Sequence, residues 1–115
     1  IADSVIRALS EFCPDCDVAV GGQDADIAAC QNIIEGKQLV TVFKPINTLA
    51  RLAAEFSVRL AKGETPVAVV DSDKTINNGY GDIPVFWLDP QVVTKQNIDE
   101  VVIVSGFHTH GEIYR

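Results

Sequence analysis

Asp17-Val18-Ala19-Val20-Gly21-Gly22-Gln23-Asp24-Ala25-Asp26 and, further along, Gln38-Leu39-Val40-Thr41-Val42-Phe43-Lys44-Pro45 decide the fold. Each opens on a short apolar run that reads as a buried strand. The first run ends in two glycines. The second stops at Lys44-Pro45, because proline has no amide hydrogen to give a ladder. Between them, Asp24 reads as the N-cap of a helix and Asp26 suits its positive end. Ile27, Cys30 and Ile34 line one face of that helix, and Gly36 closes it. Upstream, Val5, Ile6 and Leu9 predict a helix over 3–11, ended by the turn Cys13-Pro14-Asp15-Cys16. Downstream, Ile46, Leu49, Ala53, Phe56 and Leu60 form a continuous apolar stripe on a helix over 46–62. Arg51, Glu55 and Arg59 alternate in charge on its other face, and Gly63 ends it. Helix, strand, helix, strand, helix is the order of an α/β protein with a mostly parallel sheet.

The pattern thins after Gly63. Asp71-Ser72-Asp73 and Asn77-Asn78-Gly79-Tyr80-Gly81-Asp82 read as turns. Pro84-Val85-Phe86-Trp87-Leu88 reads as a short strand broken by Asp89-Pro90. Asn97 to Val104 supports either a strand, by its β-branched run, or a helix, by Asn97 as cap with Asp99 and Glu100 following. Three helices therefore flank too little sheet. The long stripe from Ile46 to Leu60 needs partners the chain does not supply, as in the back end of a two-lobed α/β protein.

The composition bounds the function. The 115 residues suffice for one domain, 47% are hydrophobic and 22% charged, and the net charge is −7. An acidic chain with scattered lysines and arginines is a poor nucleic-acid binder. No stretch is long and apolar enough to cross a bilayer as a helix. The sequence holds no methionine and opens directly on a helical pattern, so we expect a piece of a longer chain or one whose front has been removed. Cys13 and Cys16 sit in Cys-Pro-Asp-Cys, a spacing open to a redox pair, a loop of two thiols or a local disulfide, or half a zinc site. The last needs more ligands than Cys30 provides.

Chemistry is concentrated in the turn from Gly21 to Asp26. It lies after a strand and before a helix, where open α/β sheets bind ligands. It is no phosphate loop: the glycine and lysine pattern is absent, and two carboxylates would repel phosphate. An ionised Asp24 suits a neutral, hydroxyl-rich ligand, from which it accepts charge-assisted hydrogen bonds. The plainer alternative is that Asp24 only caps the helix. Lys44, at the end of the next strand, could donate to the same ligand or stand as an ordinary exposed lysine. Catalytic motifs are absent: there is no Gly-x-Ser-x-Gly and no His-Glu-x-x-His. His108 and His110, spaced to face one way on an extended segment, lack a second cluster to complete a metal site. Trp87 reads as core or as a stacking surface for a ring.

Gly22-Gln23-Asp24-Ala25-Asp26, Thr41-Val42-Phe43-Lys44-Pro45-Ile46, Asn77-Asn78-Gly79 and Gly106-Phe107 occur in the order and spacing of the type I, ribose-binding-like periplasmic sugar-binding proteins. Within these the chain resembles the D-xylose-binding group, over roughly the last third of such a protein. The resemblance implies two doubly wound lobes, mostly parallel sheets flanked by helices, closing on one aldopyranose such as D-xylose. It implies a binding protein rather than an enzyme, with no cofactor and no metal. Asp24 then matches the aspartate that accepts sugar hydroxyls, and Lys44 the lysine that donates to the sugar. Residues 1–44 would belong to the C-terminal lobe, and 45–84 to a hinge crossing and a helix of the N-terminal lobe. Residues 85–115 would form the return crossing and tail. The same resemblance tips Asn97 to Val104 toward a short helix. The implied partners are the N-terminal lobe outside this chain and either an ABC importer permease or a membrane sensor kinase. A LacI-type repressor core shares the fold. The implied location is periplasmic or extracellular, or a lipoprotein at the outer face of the cytoplasmic membrane. Taken alone, the 115 residues should self-associate through the uncovered stripe.

Overall fold

The computed structural model describes residues 1–70 and 72–114. The chain forms two units, one of Ile1–Lys44 with Pro90–Arg115 and one of Pro45–Asp89.

The first unit opens with α1 (Ala2–Phe12), which buries Ile6 and is tied to the next helix by Asn32 Nδ2 donating to Asp3 Oδ1 at 3.1 Å. Cys13 and Cys16 close the following turn as a disulfide, which settles the choice the spacing left open. The first strand begins later than the apolar run predicts. Residues 17–20 take no strand, and β1 is Gly21–Gln23, where the paired register with the next strand begins, one residue after the carbonyl of Val20 accepts from the amide of Leu39 at 2.8 Å. It pairs in parallel with β2 (Val40–Phe43), in the register Gly21 with Val40, Gly22 with Thr41 and Gln23 with Val42. Between them runs α2 (Ile27–Ile34), burying Ala29, Cys30, Asn32 and Ile33. Gly36 takes the left-handed conformation, φ 77°, that ends a helix, and Lys95 Nζ caps the carbonyl of Ile34 at 2.8 Å.

A third strand, β5 (Gln91–Val93), lies antiparallel to β2, so the sheet is mixed, in the order β1-β2-β5. Three residues with one buried side chain gave no alternation to read. Asn97 to Val104 is helical, but as a π-helical segment, Asp99–Val104, with Val102 buried and Ile98 as its N-cap. It leads to a short α5 (His110–Ile113), whose first turn is closed by Thr109 and Glu112 in a capping box. Ala25, Cys30, Phe43, Val93, Ile98, Val102 and Ile113 form the core of this unit.

The second unit is built on α3 (Ile46–Ala61), which buries no residue completely. Ile46, Leu49 and Leu60 of the predicted stripe are exposed, and Phe56 meets the ring of Phe86 edge-on at 6.0 Å. Arg51 pairs with Glu55 at 3.5 Å, and Arg59 pairs with Glu64 at 2.7 Å. Its guanidinium also holds the carbonyls of Ala68 and Val69, anchoring the short α4 (Pro66–Val70) that the sequence did not reveal. Residues 77–82, expected to be turn throughout, instead close a hairpin of β3 (Thr75–Asn77) and β4 (Asp82–Pro84). Only 78–81 turn, with Gly79 at φ 86° and Asn78 Oδ1 accepting from the amides of Tyr80 and Gly81. β4 ends at Pro84, where the strand expected over Pro84 to Leu88 was to begin, and the amide of Val85 still donates to the carbonyl of Lys74 at 3.0 Å. Trp87 is 60% exposed and is therefore no core residue. Asp71, read as turn, lies outside the described residues.

Candidate functional site

The ladder between β1 and β2 runs one bond past the strand, the amide of Asp24 donating to the carbonyl of Val42 at 2.8 Å. There the chain breaks away through two left-handed residues, Asp24 at φ 79° and Ala25 at φ 48°. Aspartate tolerates that conformation, whereas an alanine held in it costs roughly 1–2 kcal/mol. The surroundings hold it there. Ala25 is fully buried, its N–H donates to the buried Thr41 Oγ1 at 3.2 Å, and its carbonyl lies 2.9 Å from His108 Nε2.

The predicted cap is corrected by two residues. Asp26, not Asp24, caps α2, its Oδ1 accepting from the amide of Ala29 at 2.7 Å. The left-handed pair moves Asp24 off the helix axis, so its carboxylate is released from capping. It points into solvent with its side chain 62% exposed.

Lys44 follows β2, and the parallel register brings it to the same end of the sheet. Its Nζ donates to Asp24 Oδ1 at 2.9 Å and to Gln23 Oε1 at 3.1 Å. An ammonium has three donors, so one remains for a ligand, and Asp24 keeps lone pairs of its own. Side by side, donor and acceptor suit a hydroxyl, which gives and takes a hydrogen bond at once. The two residues singled out from the sequence are thus brought together. Gln23, Thr41 and His108 were not singled out for this turn. Thr41 alone left a trace, as the polar inward-facing position of a β-branched strand.

A wide groove of about 830 Å³ runs along β1, lined by Val18, Val20, Val40 and Val42 and by the start of α1. Asp24 lies on it but Lys44 does not, and its valine lining does not recognise hydroxyls. The candidate site is the Asp24–Lys44 pair and not this groove.

Among the described residues, the thiol nearest this turn is not an activated nucleophile. Cys30 Sγ approaches the Ala25 carbonyl at 3.5 Å, and burial, with the charge of Asp26 adding to it, pushes its thiol up to about 11. It stays protonated and inert at neutral pH. The two histidines part company: His108 bonds to Ala25, while His110 stacks on Tyr114 with centroids 4.4 Å apart. Among the described residues no group of three or more His, Cys, Asp or Glu is placed to hold a metal.

This α/β arrangement is a portion of the type I periplasmic-binding-protein fold. A carbohydrate transporter solute-binding protein from Chloroflexus aurantiacus, solved with D-glucose, superposes with a TM-score of 0.84 at 32% identity, over 96% of this chain and 32% of its own. By sequence the chain is similar to D-xylose-binding periplasmic proteins. Those of Haemophilus influenzae and Escherichia coli K12 are each 45% identical to it, over 98% and 97% of the chain. The chain spans about a third of the length of these relatives, 33% in both cases. No family model matches it.

Proposed function

We propose that these residues are the C-terminal part of a periplasmic sugar-binding protein that captures D-xylose or a related aldopyranose for an ABC importer. The observation that carries this reading is the Asp24–Lys44 pair, a charged acceptor and a charged donor set at the ends of adjacent parallel strands. Asp24 takes hydrogen bonds from two neighbouring sugar hydroxyls and Lys44 donates to a third oxygen. Charge-assisted bonds of this kind are each worth about 1.5–3 kcal/mol. We read the site as one that binds without turnover, in line with the sugar-binding and solute-binding proteins it is similar to.

On this reading residues 1–44 belong to the C-terminal lobe, and the chain crosses a hinge after Lys44 to place α3 in the N-terminal lobe. It returns in the segment that leads into β5. The division of the chain after Lys44 and again before Pro90 supports two such crossings. The exposed stripe of α3 supports it too, as a helix face awaiting cover.

Thermal denaturation of the full-length protein with and without sugars tests the reading. A sugar present at about a hundred times its dissociation constant adds about 2.7 kcal/mol to stability. We expect D-xylose to raise the midpoint by several degrees and sucrose to leave it unchanged. No shift with xylose, glucose, ribose or galactose would remove the reading.

A further inference from the structure

The turn that carries Asp24 is fastened by a residue far along the chain. Both polar backbone groups of Ala25 are engaged: Thr41 Oγ1 accepts from its N–H, and His108 Nε2 lies 2.9 Å from its carbonyl. A carbonyl only accepts, so Nε2 carries the hydrogen, in the neutral Nε2–H tautomer or the imidazolium. Cys30 Sγ, at 3.5 Å, is a weaker second donor to the same oxygen. The imidazole is itself held in place. It packs on Phe107 with centroids 4.3 Å apart, and Phe107 packs on Phe43 at 4.8 Å. Phe43 is the last residue of β2, directly before Lys44. The amides of Phe107 and His108 both donate to the carbonyl of Val102, fixing the segment that delivers the ring.

We propose that His108 is a positioning residue for sugar binding. Its Nε2–H holds the Ala25 carbonyl, and so fixes the left-handed turn that aims the Asp24 carboxylate. Phe107 ties the same ring to the strand that ends in Lys44. One imidazole therefore sets the carboxylate and the ammonium in a common frame without touching the ligand.

The sugar arm of this inference rests on the proposed function, so the experiment separates the two. In the full-length protein, His108→Phe keeps an aromatic ring and removes the donor, whereas His108→Gln keeps an N–H donor. We expect His108→Phe to weaken xylose binding about fivefold, the worth of one hydrogen bond, and His108→Gln to bind within about twofold of wild type. In an Asp24→Ala background His108→Phe should cause no further loss, because it acts through that carboxylate. Unchanged affinity in His108→Phe, equal losses in both variants, or a full additional loss in the Asp24→Ala background would each overturn the proposal. Should the wild type bind no sugar, the functional reading fails while ¹⁵N spectra of the histidine rings still decide this one. A proton on Nε2 of His108, with His108→Phe moving the amide signals of Asp24 and Ala25, supports it. A neutral Nδ1–H tautomer, or unmoved amides, refutes it.

Discussion

Lys44 Nζ lies 2.9 Å from Asp24 Oδ1, across twenty residues of sequence, because a parallel register carries both to one end of the sheet. The pair is exposed, at 48% and 62% for the two side chains, and this separates its worth to folding from its worth to a ligand. In water, screening leaves such an ion pair with well under 1 kcal/mol.

Replacing Lys44 with alanine should therefore leave stability within about 1 kcal/mol of wild type in urea denaturation. The same change should weaken sugar binding at least about tenfold, since a charge-assisted bond to the ligand is lost. A variant that lost stability and affinity in proportion would mark Lys44 as structural.

Gly22 has no room for a side chain. A Cβ there would stand 2.8 Å from Gln38 Nε2 and 3.2 Å from Ala2 Cβ. Gln38 is buried, and its Nε2 is committed to the carbonyl of Val40 at 2.9 Å. Gly22→Ala should cost about 1–3 kcal/mol by overpacking. Adding Gln38→Ala should recover part of it, since that change opens space and removes the buried, unpartnered Gln38 Oε1. Denaturant midpoints of the single and double variants check this.

Cys30 gives stability a slope at alkaline pH. Burial lifts its thiol from the ordinary 9.0 to about 11. The unfolded thiol thus loses its proton first, and stability that is complete below pH 9 falls between pH 9 and 11. The fall attributable to Cys30 reaches about 2 kcal/mol. Cys30→Ala should lower stability at neutral pH through the lost packing, yet flatten this slope relative to wild type. Parallel slopes in the two proteins would contradict it.

The 115 residues by themselves should bind xylose at millimolar concentration or more weakly. Two good hydrogen bonds supply a few kcal/mol, against at least about 4 kcal/mol of lost translational and rotational freedom. The exposed Ile46, Leu49 and Leu60 should also drive self-association. Light scattering and a xylose titration of the isolated piece measure both. A monomer with micromolar affinity would overturn this expectation.

The sequence made the long elements legible and the short ones not. The stripe over 46–62 and the apolar run ending at Phe43 extend far enough for their periodicity to show, and α3 and β2 stand where it puts them. β5 and α4 were invisible because they are held by distant partners, β2 in one case and the Arg59 guanidinium in the other. Asp24 and Lys44 were singled out because strand ends in α/β sheets collect ligands. That Asp26 would cap the helix in place of Asp24 was not legible. It depends on two positive φ angles, and the one at Ala25, unfavourable for alanine, is held by Thr41 and His108. A residue 83 positions away leaves no local signal.

On the proposed reading, Asp24 and Lys44 grip sugar hydroxyls. Calorimetric titration of the full-length protein and its Asp24→Ala variant with D-xylose tests it most directly. We expect a single saturable site in the wild type and an affinity at least about tenfold weaker in the variant, from the loss of charge-assisted bonds. Equal affinities in the two proteins would contradict it.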